Sequence, residues 1–217
     1  MKRSDAEILW EVASVLARDA AKVSREAGRP APGLPPLLFF TDPDRTPRPW
    51  ETAARLPAGS GVVFRHFGAA DALETAHRLR EATAAHDGLL LIGLDADLAG
   101  TVGADGVHLP ERALEQAGRL KALRPDWRIS GAVHSRDALA RAGDLDGAVI
   151  SPVFPAGGAS SAAAALGLEG FQALVEQAAC PVHALGGIDA SNARGLIGSG
   201  SCGLAGVSAI QAAFGPD

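Results

Sequence analysis

The sequence predicts one (β/α)₈ barrel preceded by an extra N-terminal helix. Eight short apolar runs alternate with helix-like segments, and a chain of 217 residues suits a single barrel domain. The runs are mostly continuous, which is typical of parallel strands covered on both faces. An open doubly wound sheet is the main alternative, but it usually has fewer strands, and the GxGxxG fingerprint is missing after the first run. The pattern therefore favours a closed barrel.

The predicted strands and helices begin at residue 37. The strands are expected at 37–41, 61–65, 88–93, 105–109, 128–133, 146–151, 181–186 and 202–207. Helices are expected at 48–57, 70–86, 111–123, 136–143, 166–179 and 189–198, with a short one at 95–103 and a last one opening at 207–208. The tract 155–167 consists mostly of small residues, so we expect a mobile loop after strand six.

Residues 1–36 form a segment of their own before the barrel of residues 37–217. Ser4 and Glu7 have the spacing of a capping box, which predicts a helix over 4–27. The stretch 29–36, RPAPGLPP, is a linker because prolines this dense cannot continue a helix. The helix either covers the bottom of the barrel or pairs with a second subunit, so a homodimer remains an open expectation.

Composition limits the class of partner. A net charge of −5 argues against binding to nucleic acid or to a membrane surface, and no apolar run is long enough to span a bilayer. Acidic residues interrupt any signal-like core near the N-terminus, so we expect a cytoplasmic protein. Cys180 and Cys202 lack CxxC spacing, which predicts buried thiols.

The ends of strands seven and eight predict a binding site for a small-molecule phosphate. Adjacent glycines let backbone N–H groups approach a ligand, and the amides that open a helix favour an anion. Phosphate sites after strands seven and eight recur in this fold. The residues expected to bind substrate there are Gly186, Gly187, Ile188, Ala205 and Gly206. The alternative is that the glycines only permit tight turns.

Polar residues at other strand ends are candidates for chemistry. His134 is the best candidate for proton transfer, because imidazole titrates near neutral pH. Arg65 is a second catalytic candidate that suits a phosphate or a carboxylate, although a salt bridge to Asp42 is the alternative. Ser151 and His108 are assigned to the substrate site, with a structural role as the alternative for His108.

Four acidic residues raise the question of a metal. Asp42, Asp44, Asp95 and Asp97 could supply the oxygen ligands that Mg²⁺ prefers. Asp42 and Asp44 fit a turn equally well, and Asp95 and Asp97 fit the start of a helix. We therefore predict no metal site.

An ordered set of motifs resembles the thiamine-phosphate synthase superfamily, which includes the thiazole tautomerases. The set is FFTDPD (39–44), VVFRHF (62–67), GADGVHLPE (103–111), SGAVHS (130–135), DGAVISPVFP (146–155), PVHALGGIDASNA (181–193) and CGLAGVSAI (202–210). The resemblance covers residue 37 to the end. It implies a (β/α)₈ barrel, and for a synthase it implies the joining of a pyrimidine pyrophosphate to a thiazole phosphate with help from Mg²⁺.

This chain departs from the family pattern where the pyrophosphate and Mg²⁺ are handled. Arg65 remains, but the glutamine and lysine of the same motif are replaced by Val63 and Phe67. Gly93-Leu94 stands where the family has Asn-Asp. Ala113 stands where the family has a metal-binding acidic residue after strand four, and Pro110-Glu111 replaces Gly-Gln. The loop 156–164, which handles the pyrophosphate in the family, has no lysine.

The retained residues favour a tautomerase-like reaction. The resemblance implies that His134 moves a proton on a thiazole carboxylate phosphate held by the glycine turns, without a cofactor. Two alternatives remain: a divergent synthase, the one case in which Mg²⁺ is expected, and a non-catalytic protein that binds a thiamine-pathway phosphate.

Overall fold

The computed structural model describes residues 3–29, 31–157 and 164–216. Its eight parallel strands pair in chain order, and β8 pairs with β1 to close the barrel. The strands are β1 (Leu37–Phe40), β2 (Gly61–Phe64), β3 (Leu89–Gly93), β4 (Gly106–Leu109), β5 (Arg128–Val133), β6 (Gly147–Ile150), β7 (Val182–Leu185) and β8 (Gly203–Gly206). The predicted barrel and its eight strands are confirmed.

Helices follow most of the strands, as the sequence predicted. They are α1 (Asp5–Glu26), α2 (Pro49–Ala53), α3 (Ala72–Ala84), α4 (Ala96–Thr101), α5 (Ala117–Leu123), α6 (Arg136–Ala140), α7 (Gly167–Val175) and α8 (Ser208–Phe214). Two of the expected helices are replaced wholly or partly by 3₁₀ turns, Glu111–Gln116 before α5 and Ala193–Leu196 between β7 and β8. In the second case Gly195 and Gly198 interrupt the segment, and glycine disfavours a continuous helix.

The apolar side chains form an inner and an outer cluster, as strands covered on both faces require. The inner one fills the barrel with Leu34, Leu38, Phe40, Val63, Leu91, Val149 and Ala205. The outer one lies between the other face of the strands and the helices, and it includes the large buried side chain Phe171. The same alternation turns His108 and Ser130, which are paired across β4 and β5, towards the interior, because they share the inward face of their strands.

Helix α1 begins with the predicted capping box, in which the Glu7 amide donates to Ser4 Oγ at 3.2 Å and the Ser4 amide donates to Glu7 Oε2 at 2.8 Å. Its buried face, from Leu9 to Leu16, joins the outer cluster and packs against β8, α8 and the Ala193–Leu196 turn. The helix therefore extends the outer wall of the barrel. No helix within the described ranges is long and apolar enough to cross a membrane.

A cavity of about 760 Å³ lies between α1, the linker and the N-terminal ends of β5 to β8. It is at the opposite end of the barrel from the strand ends that carry the candidate residues, so it is separate from the candidate site. Cys202 borders it, and both cysteines are buried free thiols, as predicted. Burial raises the pKa of the Cys202 thiol to about 12.

Candidate site at the barrel mouth

The predicted site residues lie at one end of the barrel, because parallel strands all end on the same side. His134 follows β5, Ser151 follows β6, the glycine pair follows β7, and Arg65 follows β2. His108 lies within β4, one residue before its end. We call this end, with the loops that follow the strands, the mouth.

The ring of His134 is held by a neighbouring strand. Its Nδ1 lies 2.8 Å from the carbonyl oxygen of Ser151 and 3.2 Å from the hydroxyl of the same residue. Because a carbonyl oxygen only accepts, Nδ1 donates, and in the neutral ring Nε2 keeps the lone pair. His134 is exposed, so this arrangement presents a basic nitrogen to solvent at the mouth.

The backbone of His134 is held from the other side. Its N–H donates to Glu111 Oε2 at 2.7 Å, and the Ser135 hydroxyl lies 3.4 Å from Glu111 Oε1. Ser135 then caps α6 by accepting from the Ala138 amide at 3.1 Å. Glu111 begins the turn that follows β4, so it reaches across from the adjacent strand.

Arg65 makes the internal contacts that were the alternative to a role in catalysis. Its Nε donates to the Thr41 carbonyl at 2.8 Å, and its Nη2 lies 3.7 Å from Asp42 Oδ2. The guanidinium carbon lies 5.5 Å from the centroid of the Phe40 ring and 5.6 Å from that of the Phe67 ring. Nη2 is buried without a hydrogen-bond partner among the described residues. Arg65 is thus fixed in the wall of the mouth.

His108 lies below the mouth, with 6% of its surface exposed. Its Nδ1 is hydrogen bonded to Ser130 Oγ at 2.9 Å, and its ring meets that of Phe40 edge-on with centroids 4.9 Å apart. Burial, and then the charges of Arg65 and His134, lower the pKa of His108 to about 3. His108 is therefore neutral near pH 7, and its contacts fit the structural alternative better than direct proton transfer.

The glycine turn after β7 is pinned through its carbonyl groups. The Gly186 carbonyl accepts from the Phe154 amide at 3.0 Å, and the Gly187 carbonyl accepts from Asn192 Nδ2 at 2.8 Å. Among the described residues, neither glycine amide donates to a backbone or side-chain acceptor, and the same holds for Ile188. The turn thus leaves three consecutive N–H groups without a protein acceptor in the described chain.

The glycines also permit a tight turn, which was the alternative to phosphate binding. Gly186 and Gly187 have φ values of +101° and +64°. A Cβ at Gly187 would lie 2.5 Å from the Pro155 carbonyl oxygen, and one at Gly186 would lie 2.7 Å from Pro152 Cα. Both interpretations therefore fit the same residues, because the close approach that excludes a side chain fixes the turn that carries the amides.

The end of β8 contributes backbone only. The Ala205 side chain is buried in the inner cluster, and Gly206 pairs with β1. Val207 precedes α8 and caps it with no side-chain hydrogen bond, so the first amides of this helix lie beside the glycine turn without a protein cap. Ile188 likewise offers only its backbone, since its side chain is in the outer cluster.

The acidic residues near the mouth are engaged as the turn and helix interpretations predicted. Asp42 Oδ1 accepts from the Asp44 amide at 3.2 Å, and Asp95 Oδ1 accepts from the Leu98 amide at 2.8 Å as the cap of α4. Asp42 also pairs with Arg45 at 2.8 Å, and this contact lowers the pKa of the Asp42 carboxyl. Within the described ranges, no group of three or more acidic, histidine or cysteine side chains is placed to hold a metal. Asp42 and Asp95 thus accept hydrogen bonds within the protein, and the expectation of no metal site stays a prediction.

Part of the segment between β6 and α7 lies outside the described chain. Residues 158–163 belong to the tract that the sequence predicted as a mobile loop, so that prediction falls outside the described residues. The flanks of the tract are fixed, because the amides of Leu166 and Gly167 donate to the carbonyls of Pro152 and Val153.

Sequence reasoning missed the contact of Glu111 with His134 and the anchoring of Arg65 on Thr41. Glu111 and Arg65 each stand just after the C-terminal end of a strand, and that position was the one signal available in the sequence. The Ser151 carbonyl contacts the His134 ring, and the assignment of Ser151 to the substrate site stays a prediction.

The closed barrel, with its polar residues at the C-terminal mouth, defines the class of protein as a (β/α)₈ barrel. A family model described as thiamine monophosphate synthase matches residues 44–210. The chain therefore belongs to the thiamine monophosphate synthase family, as its motifs suggested.

Individual relatives agree with this assignment. The chain is 32% identical over 177 residues to the thiamine-phosphate synthase of Leptospira biflexa, covering 76% of this chain and 84% of that protein. It is 36% identical over 126 residues to that of Azorhizobium caulinodans, covering 57% of this chain and 59% of that protein, or less than two thirds of its length. The thiamine phosphate pyrophosphorylase of Pyrococcus furiosus superposes with a TM-score of 0.69 at 28% identity, covering 82% of this chain and 91% of that one.

Proposed function

We propose that this protein is an enzyme of thiamine biosynthesis that binds a thiazole phosphate at the mouth of its barrel. One observation carries the proposal: the turn at Gly186–Ile188 is held through its carbonyls, while its N–H groups have no acceptor among the described residues. A row of free amides beside the start of a helix suits a phosphate, because both supply positive partial charge. The ligand is thus a small phosphorylated molecule.

The residues at the mouth favour proton transfer as the reaction. The Ser151 carbonyl fixes the tautomer of His134 that leaves Nε2 with a lone pair towards solvent. A nitrogen in this state can take a proton from a thiazole carboxylate phosphate and return it at another atom of the ring, as a tautomerase does. This reaction needs no metal.

A second candidate is the synthase reaction, and the names of the relatives favour it over the tautomerase. The relatives reported above carry the name thiamine-phosphate synthase or pyrophosphorylase. The reaction would join a pyrimidine pyrophosphate to the thiazole phosphate, and the bond from the pyrimidine to its pyrophosphate would break to release pyrophosphate. Mg²⁺ would assist the departure of the pyrophosphate in this candidate alone, and a requirement for it stays a prediction. A third candidate is a binding protein without turnover.

We test the ligand first, by thermal unfolding with thiazole phosphate, inorganic phosphate or pyrophosphate, each with and without Mg²⁺. Binding to the native state raises Tm by mass action. Thiazole phosphate should raise Tm with no need for Mg²⁺. If none of the three raises it, the proposed site is wrong.

The reaction is tested next with the wild type and the His134→Asn variant. Interconversion of thiazole carboxylate phosphate tautomers, lost in His134→Asn while the ligand still raises Tm, supports the tautomerase. Thiamine phosphate formed from both substrates and abolished by a chelator supports the synthase instead. Binding without either product leaves the third candidate.

The cytoplasmic location, the homodimer and the lack of nucleic-acid and membrane partners stay predictions. Gel filtration at several protein concentrations tests the dimer.

A further inference from the structure

His134 is held between two neighbouring strands, and only one of the two contacts concerns its ring. The β6 side holds the imidazole through the Ser151 carbonyl at 2.8 Å. The β4 side holds the backbone, where Glu111 Oε2 accepts from the His134 N–H at 2.7 Å. The ring position therefore depends on where the backbone at the end of β5 is fixed.

Glu111 is suited to fix that backbone because its own position is set by the barrel. It begins the turn directly after β4, the strand that pairs with β5 from Gly106↔Arg128 to Leu109↔Gly131. Both of its oxygens face the same short segment, with the Ser135 hydroxyl 3.4 Å from Oε1. A bond from an amide to a charged carboxylate is among the stronger hydrogen bonds. Glu111 thus ties the end of β5 to β4 just where β5 leaves the sheet.

We propose that Glu111 is a positioning residue that sets the place of the His134 ring in the mouth. The proposal rests on the proposed role of His134 in proton transfer. Glu111 need not touch the ligand, since it acts through the backbone amide of His134. A small displacement of a catalytic group can cost a large factor in rate, so a carboxylate that fixes the backbone contributes to turnover.

The chain offers a matched pair of variants. Glu111→Gln keeps an oxygen that can accept the His134 N–H, whereas Glu111→Ala removes the acceptor. Glu115→Ala is the control, because Glu115 lies on the same 3₁₀ turn and its nearest cation, Arg141, is also 4.0 Å from Glu111. The control therefore removes a carboxylate and its weak ion pair while leaving His134 untouched.

The first measurement uses the free protein and requires no ligand. Hydrogen exchange of the His134 amide and the ¹⁵N shifts of its ring are followed by NMR in each variant. In Glu111→Ala the amide should exchange roughly tenfold faster or more, as expected when a bond to a charged acceptor is lost. The ring nitrogens should shift as well. Glu111→Gln and Glu115→Ala should resemble the wild type.

The second measurement is turnover of the thiazole carboxylate phosphate. In Glu111→Ala, kcat should fall roughly 10- to 100-fold while KM stays within about threefold, because the phosphate site is untouched. Glu111→Gln should recover most of this loss. A Glu111→Ala protein with unchanged exchange and ring shifts, or with unchanged kcat, overturns the proposal. If His134→Asn keeps full turnover, the proposed function fails, and the NMR data still decide whether Glu111 sets the ring.

Discussion

Acidification from pH 7 to pH 5 should destabilise this fold through two histidines that burial keeps neutral. His108 is 6% exposed and His183 is fully buried, with pKa values lowered to about 3 and about 4. At the other end of the barrel, His183 Nε2 donates to the Pro35 carbonyl at 2.7 Å, and Nδ1 lies 3.4 Å from the Cys202 thiol. Neither ring has a carboxylate partner among these contacts.

The sign follows from the folded and unfolded pKa values. An unfolded histidine has a pKa of about 6.5, so between pH 7 and pH 5 the unfolded chain binds protons that the folded protein does not. Each group should then remove about 2 kcal/mol from the free energy of unfolding, or about 4 kcal/mol for both. Carboxylates contribute little in this window, because their unfolded pKa values lie near 4.

Urea unfolding at pH 7 and pH 5 measures the loss directly. Replacing either histidine by Gln should reduce the loss between the two pH values by about half. The exposed His77→Gln on α3 is the control for replacing a histidine at the surface. Equal stability at both pH values, or an undiminished loss in both buried variants, would refute this account of the interior.

Three further changes test separate features of the structure. Leu94 has a φ of +63°, a left-handed conformation that Asn tolerates better than Leu. Leu94→Asn should therefore raise the free energy of unfolding in urea by about 1 kcal/mol, and a lower value would contradict backbone strain at this residue. Gly187→Ala should lower the free energy of unfolding by about 2 kcal/mol or more, because the added Cβ would overlap the Pro155 carbonyl. Gly195→Ala is the control and should cost much less, because its Cβ would make only an ordinary contact; equal losses of stability in the two variants would argue against the overlap. The Cys202 thiol should resist a thiol reagent in the native protein and react on unfolding, and rapid labelling of the native protein would show that it is accessible.

The strands were predictable because each is a short apolar run covered on both sides. β5 occupies residues 128–133, the predicted range, and the other strands begin or end within a residue or two of their predicted bounds. The helices around the barrel were less predictable where glycine or a tertiary contact intervenes. The 3₁₀ turn that begins at Glu111 follows Pro110. The Glu111 carboxylate accepts a hydrogen bond from the His134 amide at the end of β5, and the local sequence does not encode this tertiary contact.

The site was predictable as a set of strand ends but not as a set of contacts. Position alone placed His134 and the glycine turn at the mouth. The partner of the His134 ring is a backbone carbonyl 17 residues away, and any residue type at that position has a carbonyl. Sequence likewise could not decide between the two roles of Arg65, because the same guanidinium suits an internal carboxylate or a bound anion.

A crystal structure with thiazole phosphate would show whether the backbone amides at the ends of β7 and β8 bind a phosphate, as proposed. The phosphate oxygens should lie within hydrogen-bond distance of the Gly187 amide and of the first amides of α8, with the ring towards His134. A phosphate bound elsewhere, or a turn filled by side chains and empty of ligand, would contradict it.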